Sequence, residues 1–209
     1  MQSKFFNIGI AGNIGAGKTT FTEILAKEIN IEPIYESVID NPYLEPFYLD
    51  MDRWSFNLQI YFLYNRFKSQ TDLLSKGKSF IQDRTIYEDK EIFARNLYEL
   101  GKLSKTDWNT YRKLYEEIIK FVKSPDLIVY LNTSTDVLMS RIKNRKRDFE
   151  KEISAEYIHS LNIYYNKWIN RLDPSQVLIV NTDEFNIFEH KHTLNEIIKS
   201  INQKINEIK

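Results

Sequence analysis

The 209-residue sequence has no cysteine. That excludes disulfide bridges and thiolate metal sites. No run of 18 apolar residues occurs, and the first residues lack a charged stretch followed by an apolar one. Neither a membrane span nor a secretion signal is therefore expected. An excess of one charge is also missing. The 29 basic and 29 acidic residues give a formal net charge of zero, which argues against general nucleic-acid binding or a membrane-surface role. Glycine and proline are scarce, at 6 and 5, and no linker-like stretch or internal repeat divides the chain. The expectation is one domain over residues 1–209 of a soluble, cytoplasmic protein. Its 42% hydrophobic and 14% aromatic residues supply a sizeable core.

What is present is organised around Gly12-Asn13-Ile14-Gly15-Ala16-Gly17-Lys18-Thr19, followed by Thr20. The spacing fits the phosphate-loop pattern G-x-x-x-x-G-K-[ST]. Glycines let backbone N–H groups turn inward onto phosphate oxygens, Lys18 supplies a point charge, and the Thr19 hydroxyl suits Mg²⁺. A predicted strand at 4–10 precedes the loop, and an amphipathic helix at 20–29 follows it with its N-terminus facing the loop.

Beyond the loop, strand and helix alternate. Strands are predicted at 32–36, 79–83, 127–131 and 177–180. Residues 40–46 read as a loop, because Pro42 and Pro46 disfavour helix in the residue before each. Helices are predicted at 52–75, 86–100, 105–122 with Ser104 as N-cap, 135–143, 154–171 and 189–208. This is the pattern of an α/β, doubly wound, five-stranded parallel sheet with helices on both faces. Ligand would bind at the carboxyl ends of the strands.

Three features narrow the chemistry. Glu36 ends the second predicted strand; a carboxylate there suits an alcohol acceptor, which gains from a base. An ordinary surface glutamate is the other reading. Asp83 and Arg84 end the third strand. The acid can reach Mg²⁺ or accept a proton, and the Arg can steady charge on a transferred phosphoryl group. A helix-start Asp beside a solvated Arg is the alternative. Arg141 and Arg145 are four apart, on one helix face, in a basic segment running to about residue 152. That suits a lid closing cations over phosphates; a solvated turn or a nucleic-acid patch are the competing readings.

Together these stretches resemble the deoxyribonucleoside kinase family, in the branch of deoxycytidine, deoxyguanosine and bacterial deoxyadenosine kinases. The likeness rests on Gly12–Thr19, Tyr35-Glu36, Arg53-Trp54-Ser55-Phe56-Asn57-Leu58-Gln59, the run 83–89 (DRTIYED), the run 92–99 (IFARNLYE) and the Arg-rich lid. The resemblance implies transfer of the ATP γ-phosphoryl group to a deoxynucleoside 5′-hydroxyl, with Mg²⁺. It places Glu36 beside that hydroxyl as base, with Asp83 as rival in a position where relatives often carry Glu. Arg84 would contact the 5′-oxygen and phosphate, and Tyr48 and Glu150 would hold the 3′-hydroxyl. Gln59 would read the base edge and Phe93 stack on it. The pair Arg66 and Asp89 argues against thymidine and fits deoxyadenosine, deoxyguanosine or deoxycytidine, with deoxyadenosine the first choice. Asp183, Glu184 and Phe185 would touch the donor adenine, mostly by backbone. A homodimer through the helices after the second and third strands, and feedback inhibition by a deoxynucleoside triphosphate, are also implied. The aromatics Trp54, Phe56, Tyr61, Phe62 and Tyr64 suit core or that interface. His159, His190 and His192 are expected on surface helices without a metal role.

Two other functions share parts of this pattern. A thymidylate-kinase-like monophosphate kinase would need basic residues for an acceptor phosphate, and none stands beside Glu36. A non-catalytic nucleotide-binding regulator is the third class. A GTPase switch is excluded by the lack of an N-K-x-D motif.

Overall fold

The computed structural model describes residues 5–35, 40–187 and 189–208. The elements in order are β1 (Asn7–Gly12), α1 (Lys18–Ile29), β2 (Glu32–Ile34), α2 (Leu44–Leu49), α3 (Met51–Ser75), β3 (Phe80–Asp83), α4 (Ile86–Glu88), a π-helical stretch (Asp89–Ala94), α5 (Arg95–Glu99), α6 (Lys105–Ile118), β4 (Leu127–Asn132), α7 (Thr135–Arg145), α8 (Ala155–Ile169), β5 (Val177–Asn181) and α9 (Lys191–Ile208). The strands form one parallel sheet in the order β2-β3-β1-β4-β5. In this order β1 connects to β2 and β3 to β4 in opposite directions across the sheet, so the right-handed rule for parallel crossovers assigns α1 and the α4–α6 connection to opposite faces. The central strands β1, β3 and β4 are buried along nearly their whole length, which explains why they read as continuous apolar runs. Register brings Gly12, Asp83 and Asn132 to the same edge, at the carboxyl ends of the strands.

Local departures from the sequence expectation have local reasons. β1 starts three residues and ends two residues later than the apolar run at 4–10 suggests, because its pairing with β4 extends to Gly12↔Leu131. β2 stops at Ile34. Residues 44–46, expected as the end of a loop, instead start the short helix α2 (Leu44–Leu49). Pro46 is tolerated there because it sits in the first turn, where its missing N–H has no intrahelical partner to lose. Asp50 then caps α3 by accepting the Arg53 N–H at 3.1 Å. The expected helix at 86–100 is regular only at its ends, since residues 89–94 wind as π-helix. Ser104 caps α6 as predicted, accepting the Asp107 N–H at 3.0 Å. No described helix is long and apolar enough to cross a membrane.

Candidate active site

The phosphate loop leaves β1 and enters α1 as its sequence requires. Gly15 and Gly17 have φ of +87° and +89°, a region costly for residues with a Cβ. At Gly15 a Cβ would also stand 3.0 Å from the Ile142 side chain of α7. No side chain caps the N-terminus of α1 at Gly17, so its N–H groups face the loop. Lys18 donates to the Asn13 carbonyl at 3.0 Å, closing the loop on itself. Asn13 is anchored from α8: its amide donates to the Ile158 carbonyl at 2.9 Å and to Asn162 Oδ1 at 2.8 Å. Neither anchor was visible in sequence, because 145 residues separate Asn13 from Ile158.

On one side of the loop lies a cavity of about 510 Å³. Ala16, Gly17, Thr20, Arg141, Thr182, Asp183, Glu184, Phe185 and His190 are among its lining residues. Arg141 donates to the Thr182 hydroxyl at 3.1 Å and to its carbonyl at 2.5 Å. Asp183 is partly committed elsewhere, since its carboxylate accepts the Ser134 N–H at 2.8 Å at the start of α7. His190 precedes α9 rather than lying on a helix, and its ring is 6.3 Å from Phe185. His159 and His192 are exposed helix residues, as expected.

On the other side opens a larger cavity of about 800 Å³, well sized for a small-molecule ligand. It gathers Thr19, Tyr48, Gln59, Asp83, Arg84, Asp89, Phe93, Arg141, Arg145 and Glu150. Thr19 donates its hydroxyl to Asp83 Oδ2 at 2.5 Å. The other oxygen, Asp83 Oδ1, is buried without a hydrogen-bond partner among the described residues. An orphaned carboxylate oxygen beside a threonine hydroxyl is a donor set that fits a hard cation sharing substrate phosphates. Among the described residues, no group of three or more His, Cys, Asp or Glu forms an all-protein metal cage.

Arg84 adopts φ +70°, which costs an L-residue about 1–2 kcal/mol. The surroundings hold it there. Its guanidinium lies 4.2 Å over the Phe93 ring and donates to the Gly12 carbonyl at 3.4 Å. Arg66 supports the same turn. Its Nε donates to both Asp89 oxygens, at 2.9 and 2.7 Å, and its Nη1 reaches the carbonyls of Asp83 and Arg84 at 3.4 and 3.3 Å. The expected Arg66–Asp89 pair therefore exists, and it also braces the Asp83-Arg84 backbone. Gln59 is buried, and its Oε1 has no hydrogen-bond partner among the described residues.

The segment predicted as a lid folds over this cavity. Arg145 forms a two-pronged pair with Glu150, one prong at 2.5 Å, and Arg147 stands 3.6 Å from the same carboxylate. Phe149 stacks on Tyr48 with rings 6.3 Å apart and 11° from parallel. Burial pushes the Tyr48 phenol well above its ordinary pKa, and does the same at Tyr157 on α8. Tyr48 and Glu150 are brought to one wall, as the resemblance implied. In this structure the Glu150 carboxylate is occupied by the lid arginines.

Glu36 lies outside the described residues. Several cavity residues carry no site role in the sequence reading: Leu44, Phe47, Leu58, Arg147, Tyr157 and Phe62, the last expected in the core or an interface. Phe62 was recoverable, since it falls between Gln59 and Arg66 at helical spacing on α3. Of the other α3 aromatics, Tyr64 is 56% exposed, whereas Trp54, Phe56 and Tyr61 are half-buried.

Comparison with known proteins agrees with this construction. Residues 8–206 match the deoxynucleoside kinase family. The chain is 37% identical over 202 residues to the deoxyadenosine/deoxycytidine kinase of Bacillus subtilis, covering 96% of this chain and 93% of that protein. It is 43% identical over 182 residues to the deoxyadenosine kinase of Dictyostelium discoideum, covering 86% and 73% respectively. Its fold matches the deoxyadenosine kinase of M. mycoides holding dCMP and a flexible dCDP, with a TM-score of 0.84 and 33% identity over 95% of this chain and 100% of that one. The same protein with dATP bound gives a TM-score of 0.81 and 33% identity, covering 94% and 99%. The likeness spans nearly the whole length, and on it the chain belongs to the deoxynucleoside kinase family.

Proposed function

We propose that this kinase transfers the γ-phosphoryl group of ATP to the 5′-hydroxyl of a deoxynucleoside. Deoxyadenosine is preferred, with deoxyguanosine and deoxycytidine as further substrates. The observation that carries this reading is the larger cavity. It joins the phosphate loop and the Asp83-Arg84 turn to a pocket holding a buried amide, an Arg–Asp pair and an aromatic ring. That is a nucleoside's worth of contacts next to a phosphate site. The B. subtilis and D. discoideum relatives, named for deoxyadenosine and deoxycytidine, support the choice of bases.

The smaller cavity takes the donor adenine. Lys18 and the loop N–H groups hold the donor phosphates, while Arg141 and Arg145 close over them from α7. Thr19 and Asp83 would hold Mg²⁺, which supplies charge neutralisation on the donor phosphates when bound. Glu36, or Asp83 in its place, accepts the proton from the 5′-hydroxyl, and Arg84 faces the charge that develops on the transferred group. Tyr48 and Glu150 hold the 3′-hydroxyl, Gln59 and the Arg66–Asp89 pair read the base, and Phe93 stacks against it. The molecule works as one domain with a lid at about 141–152, in the cytoplasm. It pairs as a homodimer through the helices after β2 and β3, where Tyr64 on α3 and Leu114 on α6 leave apolar surface exposed. A deoxynucleoside triphosphate spanning both cavities inhibits it; dATP bound to the M. mycoides enzyme supports this.

The test is phosphoryl transfer from ATP and Mg²⁺ to deoxyadenosine and, in parallel, to dTMP. The expected product is the deoxynucleoside 5′-monophosphate, with kcat falling about a hundredfold or more in Glu36→Gln. Transfer to dTMP alone would replace this reading by a monophosphate kinase. ATP binding without transfer to either acceptor would replace it by a regulatory module.

A further inference from the structure

Glu88 has no part in the chemistry described so far, yet it is completely buried. A buried carboxylate is costly unless it is well paired, and this one is. Its Oε2 accepts the Thr85 N–H at 2.7 Å and the Thr85 hydroxyl at 3.2 Å. Its Oε1 accepts the Tyr165 hydroxyl at 2.8 Å and the Gly12 N–H at 3.3 Å, and stands 3.9 Å from Arg84 Nε. The same Tyr165 hydroxyl is 2.7 Å from the Gly12 carbonyl, which Arg84 Nη2 also reaches at 3.4 Å.

Two pieces of machinery thus meet at one carboxylate. The N–H of Gly12, where the phosphate loop leaves β1, is bound to it, and the carbonyl of Gly12 is within reach of two of its partners, Arg84 and Tyr165, the single Tyr165 proton being shared between that carbonyl and Glu88. The Arg84 side chain is set against its charge. Tyr165 is rigid in this role: it is fully buried and stacks on Tyr130 at 5.7 Å and 15°. Burial raises its phenol pKa well above the ordinary value, so it remains a donor across the working range.

We propose that Glu88, with Tyr165, is a positioning residue for phosphoryl transfer, locking the aim of Arg84 to the placement of the phosphate loop. The proposal rests on the placement of Arg84 at the transferred group. The competing role is support of the fold alone. A carboxamide at position 88 keeps the shape but removes the charge facing Arg84, and it opposes a donor to either the Thr85 or the Gly12 N–H. The misaim should appear in the chemical step, where the charge on the transferred group develops, rather than in binding.

The experiment is a double-mutant cycle on kcat, with Glu88→Gln, Arg84→Ala and the two combined, corrected for folded fraction. Glu88→Gln is expected to lower kcat about tenfold or more, with KM for ATP and deoxyadenosine within about threefold of the original. In the Arg84→Ala background the same change should cost less than about twofold. Unchanged kcat in Glu88→Gln, even with a lower melting temperature, would overturn the proposal. So would an equal loss in both backgrounds, which is the signature of general structural support. If Arg84→Ala itself keeps full kcat, the assignment of Arg84 fails first, and the proposal with it. Tyr165→Phe keeps the ring stack and covers the case in which Glu88→Gln does not fold. Its kcat should fall at least about threefold at constant KM, and an unchanged kcat would contradict the proposal.

Discussion

At the scale of single residues, the most informative atoms are those that the protein buries without a partner. Gln59 Oε1 is one, on a residue that lines the larger cavity. Leaving an acceptor unpaired costs stability that a bound ligand can return. Gln59→Leu should therefore raise KM for deoxyadenosine about tenfold or more. The melting temperature should hold or rise by about 2–4 °C, the shift that 1 kcal/mol produces in a chain of this size. A structural glutamine would show the reverse, with lost stability and unchanged KM; steady-state kinetics and thermal unfolding decide between them. Tyr48 gives a pH prediction. Its pKa is raised by burial, so the neutral phenol persists above pH 10, and Tyr48 imposes no rise in deoxyadenosine KM up to pH 9.5. Tyr48→Phe should raise that KM about five- to twentyfold, while a substrate lacking the 3′-hydroxyl should not distinguish the two enzymes. Binding titrations across pH with both substrates measure this. Gln59, Tyr48, Arg66, Asp89 and Phe93 were legible only through the family resemblance. Composition and spacing alone reached the phosphate loop, Asp83-Arg84 and the two lid arginines. Glu88 and Tyr165 were not legible as a pair, because 77 residues separate them and each alone reads as an ordinary helix residue.

At the scale of elements, hydrophobic period located the long helices and buried strands, and missed whatever depends on backbone bonding. The π-helical stretch at Asp89–Ala94 is the clearest case. Its side chains satisfy an α-helical pattern, and the wider turn leaves no trace in residue type. The stretch carries Asp89, which pairs with Arg66, and Phe93, which lies under Arg84. Its outward side is tied to the chain just beyond α8 by Glu91, which accepts from Arg171 at 2.6 Å and from Lys90 at 2.8 Å. Partial burial opposes ionisation of Glu91, but these hydrogen bonds outweigh it and leave the pKa lowered. A carboxylate held below its unfolded value stabilises the fold above that value, near 4.5. The contribution is lost as the pH falls through the folded pKa. Glu91→Gln should therefore flatten the decline in stability below pH about 4.5 and leave the slope near pH 7 unchanged. Urea unfolding at a series of pH values tests it, and a slope identical to the original protein in acid would contradict it.

At the scale of the whole molecule, the architecture was the most legible feature. Alternating strands and helices around a phosphate loop restrict the chain to a parallel sheet with ligand at the carboxyl edge. The order β2-β3-β1-β4-β5 puts β1 at the centre of that edge, with Asp83 on one neighbour and the β4–α7 connection beside the other. The sequence could not reveal how residues 141–152 settle: Arg145 and Arg147 both pair with Glu150, the residue proposed for the sugar. In the function proposed above, one cavity selects a deoxynucleoside by its base and presents its 5′-hydroxyl to the donor phosphate. The most direct measurement is a competition assay. Equimolar deoxyadenosine, deoxyguanosine, deoxycytidine and thymidine are offered with ATP and Mg²⁺, and the initial ratio of monophosphates gives the ratio of kcat/KM values. dAMP is expected as the main product and dTMP as the least, by about tenfold or more. Formation of dTMP at the same rate as dAMP would contradict the proposed function.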